Sequence, residues 1–512
     1  MPRPNPLPIA GLLAIILSAL PAAAAPPNVV FILADDVGLG DLSRHVRGLG
    51  REPLVETPHL DALADAAVVF ADAHSSTALC SPSRYSAMTG NLPHRSRNPW
   101  GVWGTFRPSP VTDDDATLGR VARAGGLATG FFGKWHLGGD FRHATEDKLY
   151  RGNDRGDEPL PVDVSEWVGG GPRELGFDES FAMPCGVQGP VYVAYENQRW
   201  WPFGADAQLV NLTDANALDP LFVSDKGPGP GDSHWDARRV GTLLAERAAD
   251  FITRHAADGR PFFACYWTPA VHIPHTPPET FFGTPVRGVT PTSHLDMLRE
   301  LDLQVGHLVA ALRDAGVYDD TLIVFSSDNG GLHVGGGNGP AAAHDSSGVF
   351  RGKKNDPWEG GHRVPFFLKP PVAWDVEPHT SDAVVTIHDV VATLAGATGV
   401  PLEPHQAVDA IDLRPVLADP AAAEAARPDL LLQGGSRNEL IYRRGHWKLV
   451  IQSNGLLTKW EPSALYDLAE HPTEPPERNR VHDPEQAERV VEMMTRYRER
   501  RDAPRTTPPS RR

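Results

Sequence analysis

The stretch NVVFILADD, residues 28–36, is an apolar, partly β-branched run that stops abruptly at two aspartates. Its length and composition are those of a strand buried on both faces, with carboxylates at the C-terminal end. TLIVFSSDNGG (321–331) repeats the design. PFFACYWTPAVHIP (261–274) and VPFFLKPP (364–371) read as further buried strands, and ATGFF (128–132) as another. Helical patterns lie between them. In TPHLDALADAAVVF (57–70), Thr57 suits an N-cap and Pro58 the first turn. Leu295, Leu298, Leu301, Val305, Leu308 and Leu312 make one helical stripe that ends near Gly316. Buried strands alternating with helices predict an α/β fold with a large mixed, mostly parallel sheet flanked by helices. In such sheets polar site residues gather beyond the carboxyl ends of the strands.

The chain has 512 residues and a formal net charge of −17, which opposes nonspecific binding to nucleic acid. A polyanionic substrate must then be drawn in by local cations. Residues 1–25 pair a lone Arg3 with a short apolar run and small residues at 22–25, the pattern of a secretory leader. That run is too short to span a bilayer, so an exported protein, periplasmic or secreted, without a stable membrane anchor is expected. Residues 26–426 read as the catalytic unit. The region 140–235 is rich in Gly and Pro, and loops over the site face are expected there. From 427 to 512 short antiparallel strands (LIYRRGHWKLVIQS, ALYDL), a terminal helix and a disordered tail form a small α+β subdomain. Three cysteines cannot all pair internally. Cys185 and Cys265 can form one disulfide, or Cys265 is a small buried residue in its apolar run; Cys80 is left over either way.

Asp35–Asp36 and Asp328–Asn329 offer four hard oxygen donors after two strands, which suits Ca²⁺ or Mg²⁺ rather than zinc. In GKWHLGG (133–139), Lys134 and His136 lie two apart, so an extended backbone puts them on one side. His272 and His275 follow the third strand, where an imidazole can protonate a leaving group. Lys353, Lys354 and Arg363 surround a Gly-Gly turn and suit a tetrahedral oxyanion. In CSPSRYSAMTG (80–90), Pro82 fits the first turn of a helix that Gly90 stops. Cys80 then sits at a helix N-terminus, with Arg84 on the same face. A thiolate is favoured there, yet a thiol fits poorly beside ligands for a hard cation.

Together these segments resemble the sulfatase family of the alkaline-phosphatase-like superfamily. The resemblance rests on CSPSRYSAMTG, GFFGKWHLG (130–138), ADDVGLGD (34–41), TPHLDALA (57–64), SSDNG (326–330), KNDPWEGGHRVP (354–365) and ALYDLAEHPTEPPE (464–477). It implies that a maturating enzyme converts Cys80 to Cα-formylglycine, whose hydrate attacks the sulfur of a sulfate ester. It further implies one Ca²⁺, in preference to Mg²⁺, held by Asp35, Asp36, Asp328, Asn329 and modified Cys80. Arg84 and Lys134 would hold the formylglycine oxygens, and His136 would be the base for collapse of the sulfated intermediate. His272, chosen over His275, would be the acid toward the alcohol, and Lys354, chosen over Lys353, would bind sulfate. The segment 344–363 is similar to arylsulfatase A-like and N-acetylgalactosamine-6-sulfatase-like branches, which favours a carbohydrate sulfate ester, and the acidic net charge favours a small or terminal sulfated sugar. ADAH (71–74) and 140–235 match no specificity class. The alternatives are a phosphonate monoester or phosphodiester hydrolase of the same superfamily, or an inactive glycan-binding relative with an unmodified Cys80.

Overall fold

The computed structural model describes residues 25–218, 226–332, 344–435, 438–454 and 457–503. The leader expected at 1–25 and the tail beyond 503 fall almost wholly outside these residues. Ten strands form one sheet: β1 (Asn28–Ala34), β2 (Val68–His74), β3 (Ala128–Lys134), β4 (Glu179–Met183), β5 (Ala194–Glu196), β6 (Arg199–Trp201), β7 (Phe262–Trp267), β8 (Thr321–Ser327), β9 (Phe366–Lys369) and β10 (His379–Thr386). Their order is β10-β2-β9-β8-β1-β7-β3-β4-β5-β6. The central five, β8 to β4, pair in parallel, whereas β9 runs antiparallel to both of its neighbours.

β1 shows why the sheet carries helices on both faces. Val29, Phe31 and Leu33 enter one core, and Val30, Ile32 and Ala34 enter the other. Successive side chains point to opposite faces, so a strand that is apolar throughout needs cover on both. On one face lie α1 (Pro58–Asp65), α3 (Val240–Ala257) and α4 (Ser293–Asp314); on the other lie α2 (Cys80–Thr89) and α5 (Asp389–Thr398). The six stripe residues of α4 are all buried, and Thr292 caps it by accepting from the Leu295 amide.

A second sheet, β11 (Asp429–Gln433) to β14 (Trp460–Asp467) with β12 (Glu439–Arg444) and β13 (Trp447–Ser453) between, is wholly antiparallel. Its core joins Tyr442, Leu449 and Leu465 to Met493 and Tyr497 of α6 (Ala487–Asp502). Gln433 bridges to Thr77, which ties this sheet to the segment entering α2.

Several expectations need correction. The helix expected across 57–70 ends at Asp65, and VVFADAH is β2. There β-branched residues and burial outweigh the helical reading of the alanines. Thr57 is the N-cap residue of α1, but its side chain makes no capping hydrogen bond; its hydroxyl instead pairs with Ser43 and Asp61. The region 140–235 is not only loops, because β4, β5 and β6 extend the main sheet. Cys185 and Cys265 are both free and buried, and the Cys185 thiol lies 2.8 Å from the Thr105 hydroxyl. Among the described residues no helix is long and apolar enough to cross a membrane.

Candidate active site

The register of the parallel strands sets their carboxyl ends side by side. Ala34 of β1 is level with Ser327 of β8, and Trp267 of β7 with Gly133 of β3. The chain therefore leaves four strands at one place, and each exit delivers polar residues. Asp35–Asp36 follow β1, Asp328–Asn329 follow β8, Lys134 ends β3, and His272 follows β7. Gly133 permits this closeness, since a Cβ there would lie 1.9 Å from the Trp267 carbonyl oxygen. α2 points its first turn at the same spot. Leu79 is extended, Cys80 opens the helix, and Gly90 closes it at φ 70°.

The contacts are short and buried. Lys134 Nζ lies 2.5 Å from Asp35 Oδ2, and Lys354 Nζ lies 2.6 Å from Asp36 Oδ1. Arg84 donates from Nε to Asp328 Oδ2 at 2.8 Å and from Nη1 to the Lys134 carbonyl at 3.0 Å. Asn329 Nδ2 donates to Asp36 Oδ1 at 2.8 Å, and His272 Nε2 stands 3.7 Å from Asp36 Oδ2. Ser81 donates to the His136 carbonyl and accepts from the Trp103 amide, which fixes the backbone around both catalytic candidates. The Arg84 guanidinium also lies over Trp267 at 5.6 Å. Ser81 and Trp267 were not singled out from the sequence. Ser81's place inside CSPSR was the available signal; nothing local marks Trp267.

Two further sequence expectations change, those for His136 and Arg363. His136 does not continue the strand: β3 ends at Lys134 and His136 has φ 56°, so the pair meets through a turn. Arg363 leaves the site and pairs with Glu359 and Asp72, while Lys353 is exposed. Of the basic groups in that segment, only Lys354 reaches the aspartates. His275 packs against His294, with ring centroids 5.1 Å apart, whereas His272 faces Asp36.

The electrostatics follow from burial of so many charges. Burial would raise the Asp35 carboxyl, but Lys134, His272, Arg84 and Lys354 hold it well below the usual carboxylate range. Asp36 is likewise lowered against burial, chiefly by Lys354. Asp328 goes the other way, raised by burial and by the Asp35 charge. Burial also raises the Cys80 thiol, despite Lys134 and Lys354 nearby. A buried protonated thiol is a poor nucleophile. Burial, then Lys134 and Arg84, push His136 well down, and burial with Lys354 pushes His272 to about 3.

Three oxygens of the cluster, Asp35 Oδ1, Asp36 Oδ2 and Asn329 Oδ1, are buried without a hydrogen-bond partner. Ligand atoms of Asp35, Asp36 and His272 lie within 4.8 Å of one another. Unsatisfied buried oxygens are costly, and a hard divalent cation is the group that oxygen donors of this kind fit. Beside them, a cation-rich wall of Arg84, Lys134 and Lys354 can receive a tetrahedral oxyanion.

A family model, that of the sulfatases, matches residues 27–400. The chain is 28% identical to an N-acetylgalactosamine-6-O-sulfatase of Bacteroides thetaiotaomicron, an alignment covering 88% of each chain. It is 32% identical to the steryl-sulfatase of Mus musculus, covering 81% of this chain and 70% of that one. It is 30% identical to the arylsulfatase A of Homo sapiens, covering 90% and 85%. Among solved structures, a Bacteroides thetaiotaomicron protein from work on the metabolism of multiple glycosaminoglycans superposes with a TM-score of 0.75. That match has 24% identity and covers 93% of this chain and 100% of that one. A phosphonate monoester hydrolase of Agrobacterium radiobacter shares the fold more distantly, with a TM-score of 0.55, 19% identity and coverage of 95% and 100%.

Proposed function

The chain belongs to the sulfatase family, whose members are sulfuric ester hydrolases, and on that premise we propose that it removes sulfate from a carbohydrate ester. In this proposal Cys80 is the precursor of the nucleophile and the cation is Ca²⁺. The observation that carries it is the set of three buried, unpartnered oxygens beside Cys80.

Asp35, Asp36, Asp328 and Asn329 would hold the ion, with residue 80 as a further ligand. When bound, a hard divalent cation polarises a sulfate oxygen and stabilises charge on the attacking oxygen. Converted to Cα-formylglycine by a maturating enzyme and hydrated by one water, residue 80 would offer two hydroxyls on one carbon: one attacks sulfur as the alcohol leaves, and loss of the other's proton restores the aldehyde as sulfate leaves. Arg84 and Lys134 are positioned to hold those oxygens. His136, kept neutral by burial and by Lys134, is in the state a base needs. His272 Nδ1 donates to the Ile273 carbonyl, which leaves Nε2 on the side of Asp36. There it would carry a proton to the leaving alcohol, once an anionic sulfate offsets Lys354. Lys354 would bind the sulfate itself.

The N-acetylgalactosamine-6-O-sulfatase relative supports a sulfated sugar, and the net charge of −17 favours a small or terminal one. The leader-like sequence pattern of residues 1–25 supports a reading of export. Two measurements test the proposal. Mass spectrometry of the peptide carrying residue 80 should find it about 18 Da lighter than the cysteine form. Turnover of 4-nitrophenyl sulfate and of a panel of sulfated monosaccharides should exceed that of phenylphosphonate in kcat/KM. A wholly unmodified Cys80 in the native host, or faster phosphonate turnover, would overturn it.

A further inference from the structure

Five residues beyond Asp36, the turn that carries the two aspartates ends on Asp41, and there a second group of ligand-type side chains collects. His344 Nε2 lies 2.7 Å from Asp41 Oδ1, and the rings of His344 and His294 are 5.6 Å apart. Ligand atoms of Asp41, His294 and His344 all lie within 4.8 Å of one another. Asp41 is 1% exposed and His294 is 2% exposed.

The arrangement is built. Gly38 and Gly40 let the backbone of 345–346 press against the turn, because a Cβ on either would lie about 2 Å from a carbonyl oxygen of Asp345 or Ser346. The Gly40 amide donates to the Ser346 carbonyl at 2.9 Å, which brings His344 over Asp41. Asp41 Oδ2 is occupied by the Gly38 amide, so Oδ1 is the oxygen presented to the histidines. His294 comes from the first turn of α4. A cavity of about 230 Å³, lined in part by Gly40, Asp41, Val55, His344 and Gly348, reaches the cluster.

An Asp41–His344 pair would be complete as a hydrogen bond. His294 is what it leaves unexplained, since both ring nitrogens are buried without a hydrogen-bond partner. Leaving a buried polar group unpaired costs about 1–3 kcal/mol. Two imidazoles and one carboxylate are the donor set of open zinc sites, with a fourth position for water. Roughly 2.0–2.1 Å bonds in tetrahedral geometry need donors about 3.4 Å apart, so the pocket would close slightly on the third ligand and open slightly between Asp41 and His344. The proton now shared by that pair would leave to solvent as the ion enters.

We propose that Asp41, His294 and His344 form a second metal site, for a divalent transition-metal ion of the zinc class. It is chemically distinct from the all-oxygen cluster at Asp35 and Asp36. Such an ion would tie α4 and the segment 344–348 to the turn carrying the two aspartates, and this holds whatever ester the enzyme cleaves.

The test uses the full chain, stripped with a chelator and titrated with Zn²⁺ alone, then with Co²⁺ alone. Elemental analysis should give one zinc per chain, and Co²⁺ should give the visible absorption of a tetrahedral N/O site. His294→Ala and His344→Ala should each weaken zinc binding by ~100-fold or more, beyond what loss of an outer-sphere partner costs, while the Ca²⁺ content of each variant as purified, before stripping, matches that of the wild type. His294→Gln keeps the volume and serves if the alanine variant fails to fold. No zinc uptake by the wild type at micromolar free metal would overturn the site. So would zinc affinity and a Co²⁺ spectrum unchanged in folded His294→Gln.

Discussion

Two clusters of buried charge, one beyond the ends of β1 and β8 and one at the end of β2, differ in one respect. The cluster at Asp35, Asp36 and Asn329 keeps oxygens without partners. The cluster around His74, Glu359 and His362 has ligand-type residues equally close together, but Lys448 stands among them. Its Nζ lies 2.9 Å from Glu359, 2.8 Å from Glu474 and 3.0 Å from His362. His74 bridges His362 at 2.9 Å and Asp72 at 2.8 Å, and Asp72 in turn pairs with Arg363 and Arg443. Arg443 and Lys448 belong to the C-terminal sheet, so this network joins the two sheets. Proximity of titratable groups is common to both clusters. Unmet oxygens in the first cluster fit the proposed cation site, whereas in the second the buried cations Lys448, Arg363 and Arg443 compensate the carboxylates and join the two sheets.

Replacing the residue at the centre of the unsatisfied cluster should give the largest effect. Cys80→Ala is expected to lower kcat/KM for 4-nitrophenyl sulfate by at least ~10⁴-fold, because the nucleophile itself is lost. The melting temperature should stay within a few degrees, since Cys80 joins none of the ion pairs around it. Residual turnover near wild type would remove Cys80 from the chemistry and erase the contrast. Chelation comes next. Stripping the metal should cost ~10²-fold or more in kcat/KM, the scale of several kcal/mol of charge stabilisation. Ca²⁺ should restore turnover better than Mg²⁺, and equal rates with and without metal would mean that the orphan oxygens serve something else.

The satisfied cluster should respond in stability instead. Lys448→Met leaves Glu359 and Glu474 facing each other in the interior, and breaking a buried pair from one side costs about 3–5 kcal/mol. Denaturant unfolding should show that loss, while the folded protein keeps its kcat on the aryl sulfate. A drop in kcat with unchanged stability would assign this network to catalysis.

The unsatisfied cluster was the more legible of the two. Its residues stand where apolar runs break into DD, DN or KWH, and such breaks are visible without any tertiary knowledge. Their convergence follows from a parallel sheet, whose strands all deliver their C-terminal residues to one edge. The satisfied network gathers residues from 72 to 474. Glu359, His362, Arg363 and Glu474 lie in motifs that carry the resemblance, but nothing in those motifs shows that they meet Asp72, His74 and Lys448, and only packing of the second sheet assembles them. ADAH (71–74) stood out from the sequence as matching no specificity class, and in the structure Asp72 and His74 serve the joint between sheets. His294 was silent for the same reason, and although Asp41 and His344 lie in segments that carry the resemblance, nothing in the sequence brings the three together. Local errors had local causes: VVFADAH lacks a strict alternation, and β4 to β6 are only three to five residues long.

The smallest effect is a matter of pH, and it probes the satisfied cluster from the other side. Burial, aided by Arg363, lowers the His74 imidazole to about 4. In the unfolded chain an imidazole titrates near 6.5. Between those values the unfolded state binds the extra proton, so the stability held by neutral His74 is complete above pH 6.5 and is lost as pH falls toward 4. At 1.36 kcal/mol per unit, the ceiling is about 3 kcal/mol. Glu300 and Asp302 on α4 complicate the raw curve, because burial raises them to about 8 and about 7, and their contribution weakens as pH rises instead. The difference between wild type and His74→Gln cancels those carboxyls. That difference, measured by denaturant unfolding from pH 7.5 to 4, should shrink steadily on acidification, because glutamine has no proton to take up. A difference that grows on acidification would mean that His74 is protonated in the fold, and the network would then be an ion-paired cluster rather than a neutral hydrogen-bonded one; a difference independent of pH would mean that His74 titrates alike in the folded and unfolded chains.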